Sequence, residues 1–152
     1  MSRPALALLL ALALCATRAG AEATPTPVGT PAPLQVVSEL RAALDEAVAR
    51  FNAGDARGVL GYVSDRYRTG GFTKTALAEQ LSTLYALHDQ VTARIRLDEV
   101  RMLGEQAWIY TTGDVVGRLR LVGSSLPLFS WQHEPEVARR EGGRWVLFGD
   151  QN

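Results

Sequence analysis

Cysteine occurs once in the chain, at Cys15, and lysine once, at Lys74. A single cysteine excludes an intrachain disulfide and a thiolate metal cluster. Positive charge is therefore almost all arginine, placed singly or in pairs such as Arg139-Arg140, and the formal net charge is zero. That balance counts against a nucleic-acid partner, because phosphate binding needs a basic surface that releases counterions. No apolar run approaches the roughly 20 residues needed to span a bilayer. No phosphate loop, nucleophile elbow or zinc-ligand spacing is present, so no cofactor and no metal are expected. What remains is ordinary: 47% hydrophobic and 21% charged residues over 152 positions, enough for one globular domain.

The N-terminus departs from that average. Met1-Ser2-Arg3 is a short positive start, and Ala5 to Ala16 is an unbroken apolar run. Ala19-Gly20-Ala21 supplies small residues where a signal peptidase reads them, so residues 1–21 are expected to be a signal peptide cleaved after Ala21, and the protein to be exported, periplasmic or secreted. Leu12-Ala13-Leu14-Cys15 offers an alternative, lipidation at Cys15, but Leu14 is large where a small residue is required. Cleavage after Ala21 removes Arg3 and Arg18 and leaves 14 basic against 16 acidic residues, with no cysteine nucleophile. Residues 22–33 hold Pro25, Pro27, Pro31 and Pro33 and are expected to be an extended linker, with the domain running over 34–152.

From Leu34 the pattern is helical. Val36, Val37, Leu40, Ala43, Leu44, Ala47, Val48 and Phe51 fall on one face, which predicts a helix of about 17 residues. Gly54 ends it and Asp55 caps a short second helix carrying Val59, Leu60 and Val63. Arg66-Tyr67-Arg68 can form a short strand, Gly70-Gly71 turns the chain, and Thr73 caps a third helix to about His88. Strand alternation follows: Val91, Ala93, Ile95 and Leu97, then Val100 and Met102 one residue out of phase. Such a slip at Asp98-Glu99 predicts a β-bulge. Strands are expected over 107–122, 126–141 and 144–148, with Gly113 and Gly117 bending the first and Pro135 placing an edge or bulge in the second.

The long helix, the Phe51-Asn52-Ala53-Gly54-Asp55 turn, the Val59-Leu60-Gly61-Tyr62-Val63-Ser64 stretch and the closing hairpin Ala138-Arg139-Arg140-Glu141-Gly142-Gly143-Arg144-Trp145-Val146-Leu147 resemble the nuclear transport factor 2-like superfamily, which includes polyketide cyclase and ketosteroid isomerase-like proteins. The resemblance covers Leu34 to Asn152. It implies an α+β fold in which a curved antiparallel sheet wraps a long helix and two further helices into a cone, a cystatin-like arrangement. It also implies an apolar cavity at the wide end, and often a dimer through the sheet. Members include isomerases, dehydratases, polyketide cyclases, epoxide hydrolases and domains without activity, so the fold does not select a function.

Enzymes of that superfamily place aspartate, histidine or tyrosine in the cone. The candidates here are Asp114 with Tyr110 or His133. Asp114 shares strand parity with Trp108, Tyr110 and Thr112; if that side faces the cavity, its carboxyl is a general base in an apolar setting. The alternate set Ala107, Ile109, Thr111, Gly113 and Val115 can equally face inward, leaving Asp114 in solvent beside Arg118. His133 shares parity with Trp131 and Phe129. His88 sits in a helix's last turn, where the macrodipole favours it, and Tyr62 and Tyr85 read as core aromatics whose hydroxyls reach water. The pocket candidates are thus Tyr62, Tyr85, His88, Trp108, Tyr110, Asp114, Phe129, Trp131 and His133. The balance leans away from catalysis, towards an exported domain that binds a small apolar ligand or a protein partner in the cone. The alternatives are a small-molecule isomerase, dehydratase or hydrolase and a dimerising interaction module.

Overall fold

The computed structural model describes residues 29–151. The expected signal peptide, its cleavage site, Cys15 and residues 22–28 of the Pro-rich stretch lie outside the described residues. The end of that stretch is not a free linker. Thr30–Pro31 forms β1, paired antiparallel with Met102 and Arg101. The Arg101 guanidinium donates to the Gly29 carbonyl at 2.7 Å and Ala32 N–H to the Val100 carbonyl at 3.0 Å. Proline is tolerated here because an edge strand can leave one N–H out of the ladder, so packing begins ahead of Leu34.

Helix α1 spans Leu34–Asn52 and buries Leu40, Ala47 and Phe51. Its end is built by Asn52, Ala53, Gly54 and Asp55, which follow the apolar face. Gly54 takes φ +73°, a left-handed conformation that glycine adopts at no steric cost. Asp55 then accepts from Gly58 N–H at 2.8 Å and caps α2, Ala56–Leu60. Asn52 does something different. Its side-chain amide accepts from Ala93 N–H at 2.7 Å and donates to Ala93 C=O at 3.1 Å, acting as one residue of an added strand. Helix and sheet are thereby fixed at one point.

Beyond α2, Tyr62–Ser64 runs along the closing strand, with Leu147 N–H to Tyr62 C=O and Ser64 N–H to Leu147 C=O, both 2.8 Å. Tyr67 belongs to the core at 2% exposure, so the short strand β2 starts later than the sequence suggests, at Arg68–Thr69, paired with β3, Phe72–Thr73. Thr73 caps α3, Lys74–Leu87, through Ala76 N–H. The chain passes directly into β4, His88–Leu103, then β5, Gln106–Leu119, β6, Ser125–Glu141, and β7, Arg144–Leu147.

The main sheet is antiparallel in the order β1-β4-β5-β6-β7. Its bulges do the bending. One lies between Leu97 and Glu99, where the hydrophobic phase slips. A second lies between β5 and β6: Thr111 faces Glu134 while Gly113 faces Trp131, so β6 has an extra residue, and His133 there takes φ 49°. The helices cover one face of the sheet. Phe51, Val59, Val63, Tyr67, Leu77, Leu81 and Leu84 pack on Val91, Ala93, Val115 and Trp131. Leu40 packs with Leu97, Val100, Ala107, Ile109, Ala138 and Trp145.

Candidate functional site

The inward set on β5 is Ala107, Ile109, Thr111 and Val115, each at most 5% exposed. Trp108, Tyr110, Thr112 and Asp114 consequently lie on the face turned away from the helices. Asp114 is bound there by Arg94 at 2.8 Å, not by Arg118, which instead pairs with Asp89 at 2.8 Å. His133 is on the same outer face: its ring stacks on Tyr110 with centroids 4.8 Å apart. It also lies 3.7 Å from an Asp98 oxygen and 3.8 Å from a Glu99 oxygen. Sequence parity places His133 with Trp131, but the extra residue of the bulge reverses it. Tyr110 and His133 are thus brought together, Asp114 is held apart by its own arginine, and none of the three points into the cone.

The other candidates have structural partners. Tyr85 donates its hydroxyl to Phe51 C=O at 2.8 Å. His88 is buried, with Nδ1 at 2.9 Å from Leu84 C=O, and its ring lies against Gly117. Trp131 donates its indole N–H to Thr111 Oγ1 at 3.0 Å inside the core, and Phe129 packs on the same cluster opposite Val115. Of the candidates only Tyr62 lines the apolar cavity beneath α1; Asp114 and Trp131 border an outer recess, and Tyr85 and His88 a small hollow beside Asn52.

That cavity is a slot of about 60 Å³ between α1 and the sheet. Leu40, Ala43, Leu44, Ala47, Val48 and Phe51 form one wall, the successive positions of a single helical face. Ile95, Ile109, Ala138, Trp145, Val146 and Leu147 form the other, and Tyr62 closes one end. The slot exists because two of the helix positions are alanine. Its rim is polar: the Tyr62 hydroxyl, then Arg50, hold the Glu46 carboxyl below the usual carboxylate range, and the Arg144 guanidinium lies 5.4 Å above the Tyr62 ring. A larger recess of about 770 Å³ lies open on the outer face, lined by Arg94, Arg96, Thr112, Asp114, Ser130 and Gln132 among others. Several of its polar walls pair with neighbouring side chains, Arg94 with Asp114, and Arg96 and Thr112 with Asp98, whereas the walls of the slot are apolar.

One titratable group inside the cone escaped the sequence reading. Glu136 is 4% exposed, on the inner face opposite Ile109 and two residues before Ala138. Its carboxyl accepts from Val137 N–H at 3.0 Å and lies 3.5 Å from the Tyr67 hydroxyl. Burial pushes it up to about 8, with the Asp150 charge adding to the rise. The same desolvation, with the Glu136 charge, pushes the Tyr67 phenol well above its ordinary value. Strand parity counted from Trp131 would put Glu136 on the opposite face; Pro135 was the available signal, since a bulge ahead of it turns Glu136 inward.

Among the described residues no group of three or more His, Asp, Glu or Cys could hold a metal ion, and no helix is long and apolar enough to cross a membrane. No protein-family model and no curated protein matches the sequence. Solved structures do match. A conserved protein from Planctomyces limnophilus superposes with TM-score 0.67 at 16% identity, covering 76% of this chain and 93% of its own. A ketosteroid isomerase-like protein from Erwinia carotovora atroseptica gives TM-score 0.60 at 18% identity, covering 76% and 93%. A member of the nuclear transport factor 2-like family from Streptomyces avermitilis gives TM-score 0.60 at 12% identity, covering 76% and 94%. At such identities a likeness speaks for architecture alone: the chain has the α+β cone fold of the nuclear transport factor 2-like superfamily.

Proposed function

We propose that the chain is an exported, non-catalytic binding domain that takes a small apolar ligand, or the apolar end of a larger one, into the slot beneath α1. The observation that carries this reading is the chemistry of the walls: twelve of the thirteen lining residues are aliphatic, Phe or Trp, and the thirteenth is Tyr62. A water needs roughly 10–15 Å³ and two to four polar partners, so a slot of this size has room for water but nothing to bind it. An apolar ligand meets the opposite balance, gaining about 25 cal/mol for each Å² it removes from water. Export rests on the sequence of residues 1–21, and a homodimer through the outer sheet face belongs to the same reading.

Native mass spectrometry of the protein purified from its own host tests both parts, reporting retained ligand and stoichiometry together. Ala43→Leu should fill the slot and abolish ligand retention while the fold persists, since Ala43 is only half-buried and leucine sits well in a helix. Retention of the same ligand by Ala43→Leu would exclude the slot as its site.

A second reading, a small-molecule isomerase or dehydratase, is favoured by Glu136, an inward carboxyl that stays protonated at neutral pH beside two residues of the slot wall. It predicts a ligand that is turned over by the parent and retained unchanged by Glu136→Gln. A ligand released chemically unaltered by both proteins would reject it.

A further inference from the structure

The β5–β6 hairpin ends in an exposed apolar tip. Leu121 is 98% exposed and Val122 68%, and Leu126 and Leu87 beside them are more than two-fifths exposed. Isolated aliphatic side chains on a surface are unremarkable, but four at one corner are not. The tip is a built element. Gly123 N–H donates to Leu119 C=O at 2.8 Å and Leu119 N–H to Ser124 C=O at 3.0 Å, closing a turn with Leu121 and Val122 at its crown. Its base is clamped to the end of α3: Arg120 N–H donates to Leu87 C=O, and the Arg120 guanidinium to the carbonyls of Tyr85, Ala86 and His88. Four hydrogen bonds from one residue hold the two leucine-bearing segments together.

The charge around the tip is net positive. From Val115 to His133 there is no acidic residue, while Arg118 and Arg120 flank the crown. At the start of β4, which packs beside it, Asp89 is bound by Arg118. The corner thus carries two cations against one anion. Its shape also selects a partner. A protein surface must offer a fitted hollow to accept a convex aliphatic crown, whereas a bilayer interface yields to it without shape complementarity. Aliphatic side chains below and arginines at headgroup level are the arrangement that interfacial anchors use.

We propose that this hairpin tip docks the domain on an anionic lipid bilayer, with Leu121 and Val122 entering the headgroup–acyl boundary and Arg118 and Arg120 at the level of the phosphates. The site is separate from the slot beneath α1 and does not depend on its occupancy. The test is co-sedimentation of the chain and of its Leu121→Glu/Val122→Glu variant with vesicles of phosphatidylglycerol and phosphatidylcholine, beside vesicles of phosphatidylcholine alone. Both proteins are prepared as the mature chain that begins after Ala21, so the apolar run of residues 5–16 is absent from both. The substituted side chains touch solvent, so circular dichroism melts should coincide. The variant is expected to bind mixed vesicles about tenfold or more weakly, the order set by losing two inserted aliphatic groups, and the parent to bind phosphatidylcholine alone less than the mixture. Equal binding by parent and variant, or no binding by either, overturns the proposal; equal binding to both vesicle types overturns its anionic part.

Discussion

The thermal midpoint is expected to fall by roughly 10 °C between about pH 5 and pH 8, because Glu136 must ionise inside the core. The sign follows from the direction of the shift. Burial raises the folded-state value from 4.5 to about 8, so between those limits the unfolded chain has released a proton that the native state still holds. Stability from the neutral carboxyl is complete below pH 4.5 and drains away at up to about 1.4 kcal/mol per pH unit until the folded group also ionises. Above pH 8 the slope vanishes. Glu134, also raised by burial, acts in the same direction but is partly exposed. The carboxylates held low by hydrogen bonds, such as Asp55 by Gly58 N–H and Asp65 by Lys74, act only at acid pH and oppose it there.

Glu136→Gln separates this account from any other source of pH dependence. Glutamine keeps an acceptor for Val137 N–H and a polar neighbour for Tyr67, and it has no proton to lose. The variant is therefore expected to melt at nearly constant temperature from pH 5 to pH 8 and to exceed the parent at the upper end. Parallel profiles for the two proteins would show that residue 136 does not titrate in the core.

Much of the fold was legible because it is written in periodicity. The face from Val36 to Phe51 announced α1, and the slip from Leu97 to Val100 announced the bulge that the β4–β5 register shows. The inward face of β5 was not legible. Ala107, Ile109 and Val115 are no more apolar as a set than Trp108 and Tyr110, yet they form the inward set, and at Gly113 the ring of Trp131 on the neighbouring strand takes the inner space. A Cβ at Gly113 would lie 2.6 Å from the Trp131 ring. The side chains of β6 were harder still. One extra residue ahead of Pro135 moves His133 out to Tyr110 and brings Glu136 in to Tyr67. Parity is a global property of a strand, and a single local insertion inverts everything downstream.

Asn52→Leu is expected to destabilise the domain by about 2–3 kcal/mol, more than a surface position normally would. The residue counts as exposed, yet its amide supplies both partners of Ala93, itself only 2% exposed. Leucine removes both hydrogen bonds, leaving a backbone N–H and C=O unpaired on a strand edge that α1 overhangs. Water can reach only part of that edge, so the loss should exceed one ordinary hydrogen bond. Asn52→Asp sharpens the test. An aspartate still accepts from Ala93 N–H, but its second oxygen faces the Ala93 carbonyl where the amide NH₂ stood. It should therefore destabilise at neutral pH and recover part of the loss near pH 4, where the protonated acid can donate. Faster hydrogen exchange at Ala93 in Asn52→Leu would locate the effect at the clamp. A cost below about 0.5 kcal/mol, within the range of ordinary surface substitutions, would mean that solvent replaces the amide and that packing of Phe51 alone joins helix to sheet.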